Sequence, residues 1–225
     1  MVHSLPTSHA KQVEQFLKKQ RPQGRIAFVI DATGSRERTW ETASQLQAEM
    51  LSEAVKLGKG KLELAVIYFR GMDEVSASNW TSDARELQHF MGRIRCEGGY
   101  TKYQRAFQRV RQEHQKQPIN AVVAIGDMLE EEPPTLYDAV VGLGVPLFAF
   151  QEGNDFQQHD VLRLREAFQE LVRLTKGAYH AFDAGSIAQL RELLQAVAHF
   201  AAGGLTALED LHTPSARKLL GQMKK

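Results

Sequence analysis

The chain has 225 residues, 43% of them hydrophobic and 24% charged, which is enough to bury one sizeable core and makes a single domain with tails the default. Its net charge is +1 with acids and bases interspersed, so it lacks a field that would recruit nucleic acid or an anionic membrane. A single cysteine, Cys96, excludes an internal disulfide, and no apolar run approaches the roughly 18 residues of a membrane-spanning helix.

Residues 1–23 hold one short amphipathic helix candidate around 13–17, ended by Arg21-Pro22, and lack the apolar core of a signal peptide, so a cytoplasmic protein is expected. The first buried strand, 25–30, runs straight into Asp31, Thr33 and Ser35. Trp40, Ala43, Leu46, Gln47, Met50, Ala54 and Leu57 then form a helical stripe. A second strand, 62–69, is followed by Gly71-Met72-Asp73 and by 74–80, which reads as an antiparallel return. In the loop CEGGYTKYQRAF, Gly98-Gly99 makes a turn and Thr101 takes the N-cap of a helix with a weak stripe at Phe107, Val110 and Arg111.

The strand 121–125 ends in Asp127, and Glu130-Glu131-Glu132-Pro133-Pro134 reads as a solvated loop with a proline stop. A strand at 146–150 leads into the polar loop 151–160, holding Asp155, His159 and Asp160. A helical stripe from Leu162 to Leu174, a weaker strand at 178–182 and a stripe from Leu190 to Phe200 follow. Residues 203–225, opening with Gly203-Gly204 and carrying Leu205, Leu208, Leu211, Leu219 and Leu220, read as a helical tail that docks on the domain or on a partner. Strand and helix alternate, which predicts an α/β fold: a doubly wound, mostly parallel sheet with one antiparallel edge strand and helices on both faces. The expected organisation is an extension over 1–23, a domain over 24–202 and a tail over 203–225.

Ligands of open α/β sheets bind at the carboxyl ends of strands. There the sequence collects Asp31, Thr33, Ser35, Thr101 and Asp127, two carboxylates and three hydroxyls from three separate segments. An all-oxygen set suits a hard divalent cation such as magnesium, with manganese or calcium as alternatives, and leaves room for water and an outside ligand. Each residue also has an ordinary reading, since Asp, Ser and Thr are common helix caps and loop residues.

The order Asp-x-Thr-x-Ser after the first strand, a Gly-Gly-preceded Thr opening a helix, and an Asp closing a later strand resembles the metal-ion-dependent adhesion site of von Willebrand factor type A domains. The resemblance covers roughly residues 24 to 202 and includes the late segment LTKGAYHAF. It departs from the family pattern at Thr33, which replaces a serine, at the inserted Tyr100, and at Gly126 and Met128 around Asp127. The resemblance implies a non-enzymatic, metal-dependent protein-binding module. Its cation, held by Asp31, Thr33, Ser35, Thr101 and Asp127, would accept a carboxylate from a protein partner. It also implies an intracellular adaptor in a multiprotein assembly, often alongside an AAA+ ATPase, with neither nucleic acid nor membrane as partner.

Two other readings stand beside it. Asp31, Gly126-Asp127 and Glu131 also resemble a magnesium-dependent phosphatase of haloacid dehalogenase type with Asp31 as nucleophile, although that family's second aspartate falls at Thr33 and Ser35 is left without a role. The third reading is a metal-free scaffold domain. A dinucleotide fold is disfavoured, because DATGSRER has one glycine where the phosphate-binding turn needs three. Cys96 has no adjacent base and reads as structural, and His89, His114, His180 and His199, no two at metal-ligand spacing, read as surface or half-buried residues. Trp40 and Trp80 read as packing residues.

Overall fold

The computed structural model describes residues 24–37, 40, 44, 48, 62–153, 158–182 and 187–224. The helix candidate at 13–17 and most of the stripe that begins at Trp40 lie outside the described residues. The elements are β1 (Gly24–Asp31), a 3-10 turn (Gly34–Arg36), β2 (Leu62–Arg70), β3 (Glu74–Ala77), α1 (Ala84–Met91), α2 (Tyr103–Lys116) and β4 (Ala121–Gly126). They continue with α3 (Pro133–Val141), β5 (Leu147–Glu152), α4 (Gln158–Leu174), β6 (Ala178–Phe182), α5 (Ile187–Glu209) and α6 (Pro214–Met223).

The strands form one sheet in the order β3-β2-β1-β4-β5-β6. All neighbours are parallel except β2 and β3, where Phe69 faces Val75 across a hairpin, so the expected mostly parallel sheet with one antiparallel edge strand is what forms. Every residue of β1 is buried, as a strand covered on both faces requires. Its alternate side chains enter two cores: Ile26, Phe28 and Ile30 pack with α1 and α5 residues such as Leu87 and Leu193, while Ala27 and Val29 pack with Phe107 of α2, Leu136 of α3 and Phe168 of α4.

The order runs outward from β1 in both directions, through β2 to β3 and through β4 to β6. The crevice above the carboxyl ends of β1 and β4 is therefore the sheet's switch point, where strands and loops diverge and leave room for a ligand.

Four expectations need correction. Pro133 and Pro134 do not stop a helix but open α3, where proline's fixed φ and missing N–H are tolerated. Arg111 is exposed, and the buried face of α2 is Tyr103, Ala106, Phe107 and Val110. His180 is buried. The polar loop expected at 151–160 is shorter than read: Gln151 and Glu152 belong to β5, α4 begins at Gln158, and Asp155 lies outside the described residues. The tail packs on the domain itself: α5 bends at Gly204 (φ 70°), and Leu208 and Leu219 are buried in the core that covers β1. No helix among the described residues is long and apolar enough to cross a membrane.

Candidate metal centre

Four of the five side chains singled out by the sequence gather at the switch point as two hydrogen-bonded pairs whose hydroxyls are in contact. Asp31, the last residue of β1, is fully buried, and its Oδ1 accepts from the Thr33 backbone N–H (2.8 Å) and the Thr33 hydroxyl (2.7 Å). The Thr33 and Ser35 hydroxyls lie 3.2 Å apart, and the Ser35 hydroxyl donates to Asp127 Oδ1 at 3.1 Å. The alternation Asp-x-Thr-x-Ser places these groups side by side because the chain stays extended through Thr33 before the 3-10 turn begins. Asp127 joins them because β4 pairs with β1 in parallel, which brings the two strand ends together.

Thr101 stands apart. It is buried but is not the N-cap of α2; that position belongs to Lys102, whose side chain makes no cap. The Thr101 hydroxyl instead accepts from the Glu130 N–H (2.9 Å), while Glu130 Oε2 accepts from the Thr101 N–H (2.8 Å). Glu131 caps the helix, its two oxygens accepting from the N–H groups of Tyr103 (3.0 Å) and Gln104 (2.8 Å). The acidic run read as solvated loop thus fastens the start of α2 to the end of β4, a role signalled only by the proximity of Glu130 and Glu131 to Asp127 in sequence.

Above the hydroxyls opens a cleft of about 170 Å³ lined by Thr33, Gly34, Ser35, Gly98, Gly99, Met128 and Glu130. The Gly98-Gly99 turn fits against the β2–β3 hairpin so closely that a Cβ on Gly99 would lie 1.8 Å from the Gly71 carbonyl oxygen. Gly126 is equally constrained. A Cβ there would stand 2.1 Å from the Tyr103 hydroxyl and 2.8 Å from the Asp31 Cβ.

The sequence reading missed a buried ion pair behind the centre. Arg36, next to Ser35, donates from Nε (2.9 Å) and Nη2 (2.5 Å) to Glu152 Oε2 and from Nη1 to the Asp31 carbonyl. Glu152 ends β5, so the strand-end rule that found Asp127 also marks it. Burial, outweighing the nearby Arg36 guanidinium and the Thr33 hydrogen bonds, lifts the Asp31 pKa to about 7. Burial likewise raises Asp127 above the usual carboxylate range, against the pull of Arg36 and Ser35. The Cys96 thiol is pushed up to about 12, chiefly by burial, which suits the structural role read for it.

The donor set fits a hard cation. Asp31 Oδ2 is buried with no hydrogen-bond partner, as is the Tyr103 hydroxyl, and both border the space beside Gly126. An unpaired buried carboxylate oxygen is costly, and a divalent ion is the type of group that offsets it. Among the described residues no group of three or more His, Cys, Asp or Glu side chains is placed to hold a metal ion, so a cation here would rely on two carboxylates supplemented by hydroxyls and water.

No family model and no curated protein matches the chain by sequence. Similar solved structures are a von Willebrand factor type A protein from Catenulispora acidiphila (TM-score 0.60, 15% identity) and the pilus adhesin SpaC from Lactobacillus rhamnosus GG in its open conformation (TM-score 0.63, 12% identity). Each covers 80% of this chain, which in turn spans 43% and 30% of those proteins. The SpRpn10 VWA domain aligns over 80% of this chain and 97% of its own length (TM-score 0.59, 13% identity). The chain has the von Willebrand factor type A fold. In that fold the switch point above β1 and β4 is where Asp31, Thr33, Ser35 and Asp127 gather.

Proposed function

We propose that Asp31, Thr33, Ser35 and Asp127 hold a divalent cation, magnesium before manganese or calcium, with Thr101 reached through water. The observation that carries this reading is Asp31 Oδ2, a buried carboxylate oxygen with no partner, near a second buried carboxylate, with the Thr33 and Ser35 hydroxyls between them. The cation, when bound, supplies a Lewis-acidic position open to a carboxylate. The chain's own residues orient that position through Thr33 and Ser35 and shape its approach with Gly98, Gly99 and Glu130. The function that follows is capture of a protein partner through an acidic side chain, in an adaptor of a multiprotein assembly for which an AAA+ ATPase is a candidate member.

Against the phosphatase reading, Glu131 spends both carboxylate oxygens on the start of α2. Affinity capture with the chain in magnesium and in chelator, repeated with Asp127→Ala, separates the readings. Partner retention that needs both magnesium and Asp127 supports the adhesion site. Magnesium-dependent hydrolysis of a phosphate ester that Asp31→Asn abolishes would overturn it.

A further inference from the structure

A second surface lies at the opposite edge of the sheet from the hairpin, separated from β1 by β4 and β5. A groove of about 950 Å³ runs beside β6 between α4 and α6, lined by Arg165, Arg173, Lys176, Lys218 and Lys224 together with His180, and by no carboxylate among the described residues. Arg173 and Lys224 are matched at the rim by Glu170 and Glu209, each at 2.6 Å. Among the described residues no carboxylate pairs with Arg165, Lys176 or Lys218. Lys218 instead sets its ammonium 2.9 Å from His180 Nε2.

Two backbone features say what shape of ligand the groove suits. The Gln222 amide accepts from the Tyr179 N–H and donates to the Tyr179 carbonyl, both at 2.9 Å, the two bonds that a neighbouring strand residue would make. Tyr179 therefore turns its peptide groups outward from the sheet edge, and Ala181, two residues on, does the same by alternation, its carbonyl oxygen lying 2.5 Å from His180 Nδ1. Lys176, just past the end of α4 with the Gly177 N–H on the Val172 carbonyl, adopts φ 54°, a left-handed conformation that favours glycine or asparagine. A lysine held there at a conformational cost places a cation at the mouth of the groove.

We propose that this groove binds an extended, carboxylate-rich segment of a partner protein, laid along β6 in place of the Gln222 amide, with its acidic side chains on Arg165, Lys176 and Lys218. β6 is largely buried under α6, so the segment reaches its edge by displacing the Gln222 amide; strand addition there supplies affinity through backbone bonds, and the cations supply selectivity. A nucleic acid cannot reproduce the peptide-type bonds on Tyr179, and a chain of net charge +1 has no long-range attraction for a polyphosphate. The surface is separate from the cation site and does not depend on it.

Fluorescence anisotropy with the full chain and a labelled ten-residue peptide of alternating Glu and Val tests the proposal. Lys218→Glu is expected to weaken binding at least tenfold. Lys176→Gly relieves the left-handed lysine, so thermal stability stays level or rises while affinity falls several-fold. Gln222→Ala vacates the Tyr179 peptide groups and tightens binding. Failure of the parent to bind the peptide, equal affinity in Lys218→Glu, or unchanged or weaker binding by Gln222→Ala would overturn it. Tighter binding of a ten-nucleotide oligothymidylate than of the peptide would do the same.

Discussion

Replacing Asp31 by asparagine isolates the cost of the buried charge at the centre. The folded carboxyl titrates near pH 7 because burial disfavours its charge, against an ordinary value of 3.8 in the unfolded chain. The folded state therefore holds the proton more tightly, and ionisation of Asp31 works against folding. The penalty is absent below the unfolded value, grows as pH rises through the interval between the two, and is complete above the folded value. A gap of about three pH units corresponds to a cost on the order of 4 kcal/mol at pH 8. Asparagine keeps Oδ1 for the two Thr33 donors but puts an unpartnered amide where Oδ2 was, costing about 1–3 kcal/mol. In chelator at pH 8, Asp31→Asn should stabilise the chain by about 1–3 kcal/mol, or roughly 2–12 °C in Tm. At pH 5 that advantage should shrink to near zero. Magnesium should raise the Tm of the parent and leave that of the variant unchanged. Thermal unfolding followed by circular dichroism at both pH values reads all of this. A variant less stable than the parent at pH 8 in chelator, or a difference independent of pH, would refute the reasoning.

Removing Arg36 leaves Glu152 as a lone buried charge, so Arg36→Met should cost about 3–5 kcal/mol in urea unfolding, and Arg36→Met with Glu152→Met should recover most of it. Gly126→Ala drives a methyl into the Tyr103 hydroxyl and should cost about 1–3 kcal/mol, partly restored by Tyr103→Phe, which by itself removes an unpartnered buried hydroxyl and should leave stability level or higher. His180 is held below its usual pKa by burial and by Lys218, so the unfolded chain takes up its proton first. Its contribution to stability is full above about pH 6.5, the ordinary histidine value, and is lost as pH falls through the lower folded value; His180→Gln should flatten that part of the melting-temperature profile.

The parallel sheet was legible because β1, β2, β4 and β5 are short apolar runs that no solvated face could accommodate. Asp31, Thr33 and Ser35 were legible for a related reason: alternation at the end of a buried strand leaves polar side chains only one place to go. Asp127 followed from the same rule applied to β4. What escaped were contacts between residues distant in sequence. Arg36 and Glu152 meet across 116 residues, and neither has a neighbour that marks it as half of an ion pair. Thr101 looked like a cap because a threonine after Gly-Gly fits one, yet the loop after β4 competes for its hydroxyl and Glu131 takes the helix N–H groups. Pro133-Pro134 was ambiguous, because proline both ends helices and begins them; here the pair stands in the first turn, where its missing N–H costs nothing.

Titration of Mn²⁺ into the chelator-treated full chain, with the free ion followed by electron paramagnetic resonance, tests the cation site most directly. One saturable site per chain, displaced by Mg²⁺ and weakened at least tenfold by Asp127→Asn, is the expected result. Absence of saturable binding up to millimolar Mn²⁺, or a site indifferent to both Asp31→Asn and Asp127→Asn, would contradict it.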